Sequence, residues 1–84
     1  MLFRSPTTTI SFSIPKESKV DLSIYNIKGQ KIKVLLKDRV SPGDYSVTWN
    51  GTDENESPVC SGVYFYRLKL ESEEDRVKKC LLLK

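Results

Sequence analysis

An all-β sandwich of about seven antiparallel strands is the fold class this sequence predicts, on three observations. Val, Ile, Thr, Tyr, Phe and Trp supply 25 of the 84 residues, and these side chains suit a pleated, half-buried surface. Ala, the best helix former, is absent, and no apolar period of 3.6 runs for a useful length. Short runs of alternating apolar and polar residues recur instead, separated by Pro, Gly and Asn at the spacing of sandwich strands.

The first run, Thr8 to Ile14, sets Ile10, Phe12 and Ile14 on one face and Thr9, Ser11 and Ser13 on the other, and Pro15 stops it. Val20, Leu22 and Ile24 repeat the pattern. After Asn26 to Gln30, where Asn and Gly29 accept positive φ, Ile32 and Val34 continue it, so the two runs read as a hairpin. Ser41-Pro42-Gly43-Asp44 is a turn, with Pro setting φ and Gly43 taking the left-handed position. Tyr45, Val47 and Trp49 form a fourth strand carrying the only Trp, which is expected in the core.

Asn50 to Pro58 is polar, acidic and aperiodic, so it reads as a surface loop, with a possible short seventh strand around Val59. Beyond Gly62, Tyr64, Tyr66, Leu68 and Leu70 share one face, while Val63 and Phe65 add apolar character to the other, which places this strand centrally in its sheet. Glu71 to Asp75 is a charged turn. In the last strand, Val77 to Leu83, parity is open: Val77, Leu81 and Leu83 compete with Cys80 and Leu82 for the inner face.

Composition excludes several function classes. The chain has no His, which removes Ser-His and Cys-His nucleophiles and His-ligated metals. Its glycines stand singly at turns and do not build a phosphate-cradling loop, so neither a catalytic residue nor a cofactor is expected. Asp53, Asn55 and Ser57 resemble part of a calcium loop but lack its glycine and distal Glu, and a plain solvated loop is the reading adopted. Asn50-Gly51-Thr52 and Asn55-Glu56-Ser57 fit the glycosylation pattern, although Asn-Gly is equally a turn dipeptide. A net charge of +3, with Lys28, Lys31, Lys33, Lys37 and Arg39 clustered, is too small to argue for nucleic acid and reads as solubilising strand edges. No apolar stretch is long enough for membrane insertion, and Met1 to Arg4 is too short for a signal peptide. Cys60 and Cys80 are read as free thiols, since two cysteines make no dense disulfide framework.

The order of these blocks is itself informative: Pro6 to Pro15, Val20 to Gln30, Pro42 to Asp53, then Ser61 to Leu68 and the tail Lys78 to Lys84. Jointly they resemble the type A C-terminal sorting domain of the type IX secretion system, over nearly the whole chain from Pro6. The core, with Trp49-Asn50-Gly51 followed by Ser61-Gly62-Val63-Tyr64, is equally similar to the immunoglobulin-like domain of the flagellar hook-capping protein. The opening Asn-Pro of the sorting family is Ser5-Pro6 here, its Trp-Asp-Gly is Trp49-Asn50-Gly51, and its loop Gly is Glu56.

The resemblance implies an immunoglobulin-like sandwich spanning residues 6–84, preceded by a disordered segment or linker remnant at 1–5. It implies structural motif positions at Pro6, Gly29, Gly43, Trp49, Gly51, Gly62 and Tyr64. It further implies a non-enzymatic module at the end of a larger exported protein, at the cell surface or secreted. Its partners would be the outer-membrane translocon, the surface-attachment machinery and an upstream cargo domain. The final strand, with charged flanks, is the candidate contact edge, through Lys78, Lys79, Leu81, Leu82 and Lys84. The other readings are an adhesive immunoglobulin-like module and a hook-cap domain.

Overall fold

A computed structural model describes residues 7–71 and 75–82. Among them are six strands: β1 (Thr8–Ile14), β2 (Ser18–Tyr25), β3 (Lys31–Val40), β4 (Gly43–Trp49), β5 (Gly62–Leu70) and β6 (Arg76–Leu82). They form a two-stranded sheet, β1-β4, and a four-stranded sheet in the order β3-β2-β5-β6, every pairing antiparallel. The described residues contain no helix. The short seventh strand expected at Val59 is reduced to a single bridge, Thr52 to Pro58, beside which the Val59 amide donates to the Gly51 carbonyl. The proposed linker at 1–5, together with Pro6, Leu83 and Lys84, lies outside the described residues.

The core follows from the alternation. Ile10, Phe12 and Ile14 of β1 and Trp49 of β4 face Val20, Leu22 and Ile24 of β2, Tyr64, Leu68 and Leu70 of β5, and Cys80 and Leu82 of β6. On the outer side of the small sheet, hydroxyls pair across the strands: Thr9 with Thr48, Ser11 with Ser46, and Ser13 donating to Asp44 at 2.7 Å. Such cross-strand polar pairs leave that face wet while its reverse stays buried. As expected, β5 lies inside its sheet, between β2 and β6.

The β2-β3 connection is the hairpin read from Asn26 and Gly29. The Asn26 side-chain oxygen accepts the amides of Lys28 and Gln30, and Gly29 sits at φ 81°. The Pro42-Gly43 turn has a different job, because β3 and β4 belong to different sheets and the chain changes layer there. Gly43 adopts φ 152°, a conformation that L side chains rarely take.

Candidate recognition surface

Trp49 is 0% exposed, and its indole N–H donates to the Thr52 carbonyl at 2.9 Å. Its ring meets Tyr64 edge-on, with centroids 5.0 Å apart and planes at 70°. The Tyr64 hydroxyl in turn donates to the Cys60 carbonyl at 2.6 Å. Burial, with a smaller contribution from Cys60, raises the Tyr64 phenol above its ordinary range. Trp49 and Tyr64 are therefore clamps: from the core, each holds one end of the loop that joins β4 to β5. They are not a binding surface.

That loop is organised by its own side chains. The Asp53 carboxylate accepts the Asn55 and Ser57 amides, and the Asp53 and Ser57 backbones close on each other. The calcium-like spacing of Asp53, Asn55 and Ser57 thus serves a self-capped turn. Gly51 adopts φ 76° and Glu56 φ 61°, the one positive value among the described non-glycine residues. Lys33 holds Glu56 in place, its ammonium donating to the Glu56 carboxylate and to the Thr52 hydroxyl, both at 2.9 Å. The bond from Lys33 and the charge it carries, with smaller contributions from Thr52 and Asn50, pull the Glu56 carboxyl below its ordinary range. Nearby, the Glu54 carboxylate accepts the Val34 amide. Sequence reasoning saw a basic strand and an acidic loop but not that one folds onto the other. Their opposite charge was the available signal.

The residues proposed for partner contact divide. Lys78, Lys79 and Leu81 are exposed on β6, Leu81 to 55%. Leu82 is 0% exposed and belongs to the core, and Lys84 lies outside the described residues. The parity of β6 is decided by its register on β5, which sets Cys80 opposite the inward Tyr64 and Leu81 opposite the outward Val63. The outer face then carries residues not singled out from sequence. Val77, 60% exposed, joins Tyr25, Ile27, Phe65 and Arg67 along a shallow groove. Alternation in β5 already put Val63 and Phe65 on that face. Both cysteines are free, Cys60 exposed and Cys80 buried, and burial raises the Cys80 thiol. Gly62 has open space around its missing Cβ, so its φ of 154°, and not a close approach, is what calls for glycine.

The described residues bring no group of three or more His, Cys, Asp or Glu into metal-binding proximity. A family model described as the FlgD Ig-like domain matches residues 5–75. The chain belongs to the FlgD Ig-like domain family. FlgD from P. aeruginosa has a solved structure that superimposes with a TM-score of 0.69 at 20% sequence identity, covering 90% of this chain and 60% of that one. At that identity the likeness is one of fold, and this Ig-like chain spans 60% of the other's length. No curated protein matches in sequence. Of the two resemblances read from the residues, the comparisons support the hook-cap domain. Neither the family match nor the FlgD structure shows a sorting domain.

Proposed function

We propose that the chain is a non-catalytic Ig-like module of hook-cap type, a rigid part of a larger extracellular assembly that acts by shape and surface contact. The observation that carries this reading is the FlgD Ig-like match, which runs from Ser5 to Asp75 and so through five of the six strands. The clamped β4-β5 loop is consistent with a scaffold role, because Trp49 and Tyr64, which hold its two ends, are buried in the core. An epitope-tagged copy of the natural protein, imaged by immunogold microscopy, should label the tips of growing hooks, and deletion of its gene should stop hook growth. Normal hooks in the deletion strain rule the reading out.

A second reading, surface sorting by a translocon, is favoured by one feature: β6 (Arg76–Leu82) lies beyond the matched segment, yet it completes the four-stranded sheet. Deleting Lys78–Lys84 is a poor test, because it takes Cys80 and Leu82 out of the core. The double variant Lys78→Glu, Lys79→Glu changes only exposed positions. Fused behind an exported reporter in a host with the type IX system, residues 6–84 should reach the surface and the double variant should stay periplasmic. Periplasmic retention of both fusions ends this reading.

A further inference from the structure

The four-stranded sheet has two edges, and the molecule treats them differently. Strand β2 shows which backbone groups point outward on each. The Lys19 amide donates to the Glu71 side chain at 2.8 Å, so Lys19, and by alternation Asp21, Ser23 and Tyr25, direct their backbone groups toward β5. Their partners Lys69, Arg67 and Phe65 answer toward β2, which leaves Leu68, Tyr66, Tyr64 and Gly62 to bond β6. On β6, Val77, Lys79 and Leu81 therefore point away from the sheet. An independent contact agrees: the Leu81 carbonyl accepts the Thr8 hydroxyl from β1 at 3.0 Å.

At the opposite edge, β3 is blunted. Its outward Val34 amide is taken by Glu54, its Arg39 amide by Asp38, and the β2-β3 ladder has two register shifts. On β6, among the described residues, no side chain caps the Val77 or Lys79 amide, and the β5-β6 register is unbroken from Gly62 to Leu68. Exposed apolar side chains gather on this side: Val77 and Leu81 lie on β6, with Val63 beside them on β5. An open, regular edge bordered by apolar side chains is the geometry that accepts an added strand.

Charge selects the occupant. Lys78 and Lys79 are exposed, and their cross-strand neighbours are Tyr66 and Phe65, not carboxylates. No acidic residue lies within β6. A second copy of β6 laid antiparallel on the first would bring these lysines against each other, a destabilising arrangement. We propose that the β6 edge binds an extended segment of another polypeptide in which apolar and acidic side chains alternate. Its backbone pairs with Val77 and Lys79, its apolar face continues the Val63, Val77 and Leu81 patch, and its carboxylates, on the opposite face, meet Lys78. The inference stands whichever assembly the module serves.

The test is an NMR titration of the whole chain with a blocked peptide alternating valine and glutamate, beside a control alternating valine and lysine. The glutamate peptide should bind saturably, shift the Val77 and Lys79 amides and slow their hydrogen exchange, while the lysine peptide should not. Lys79→Pro removes an outward N–H that the sheet does not use. It should keep the thermal midpoint and weaken binding about tenfold. Should that variant misfold, Lys78→Glu with Lys79→Glu serves instead, and it should lose the glutamate peptide and gain the lysine one. Equal binding of both peptides by the natural chain, shifts confined to β3, or a peptide-free dimer in sedimentation would each overturn the proposal.

Discussion

Truncating Trp49 to alanine probes the joint between core and loop. The ring is fully enclosed, so its removal takes away a large apolar contact, the edge-on pair with Tyr64 and the donor to the Thr52 carbonyl. Large aromatic-to-alanine changes in cores cost about 3–5 kcal/mol. A chain of 84 residues at roughly 0.05–0.15 kcal/mol per residue has about 4–13 kcal/mol in hand, so the variant loses from about a quarter of its stability to all of it. Trp49→Phe separates the contributions. It retains most of the ring contact but leaves the Thr52 carbonyl without its donor, at a cost of about 1–3 kcal/mol. Each kcal/mol moves the midpoint of a domain this size by about 4–8 °C. The chain has a single Trp, so both variants are followed by far-ultraviolet circular dichroism in urea and on heating. A Trp49→Ala midpoint within a degree of the parent's would refute the packing argument and free the indole for binding.

Three further outcomes follow from particular positions. Gly62→Ala meets no atom within 4 Å, so its cost of about 1–3 kcal/mol comes from backbone conformation alone; urea denaturation showing an unchanged midpoint would contradict that. Under native conditions a thiol reagent should label Cys60 at once and Cys80 only as the chain unfolds, and simultaneous labelling of both would show that the edge beside β5 opens freely. Stability should fall at both ends of the pH scale. Tyr64 and Cys80 have folded pKa values raised by burial, so their contribution is complete below the unfolded values, about 10 and 8.5, and is lost as pH climbs through the folded ones. Glu56, held chiefly by its bond from Lys33, and Glu71, held chiefly by the Lys19 amide, have lowered values, so their contribution is present above the ordinary carboxylate range and fades as pH drops through the folded values. Urea midpoints measured across pH check both arms, and a Tyr64→Phe, Cys80→Ser variant that loses alkaline stability as steeply as the parent would break the assignment.

Strand by strand, legibility tracked how one-sided each pattern is. β1 alternates with hydroxyls on one face and aliphatic or aromatic groups on the other, so its inner face was plain from the residues. β3 was harder to read, because two bulges against β2 shift the parity midway and send Lys33 to the Thr52 and Glu56 side chains. In β6 both faces are apolar enough to compete, and local sequence offers no tie-breaker. Of the contact residues expected there, Lys78, Lys79 and Leu81 prove exposed and Leu82 buried, a division that local sequence could not make.

The amino-acid order alone determined the elements: which segments extend, where Gly29, Gly43 and Gly62 let the chain turn, and that Trp49 and Tyr64 belong inside. These are local properties, set by side-chain branching, period-two alternation and φ preference, and each is readable within a few residues. Tertiary structure decided which edge is open and which is closed. Glu54 reaches the Val34 amide across 20 positions, and Cys80 turns inward because Tyr64 lies opposite. Such pairings join residues far apart in the chain, and no short window contains both partners.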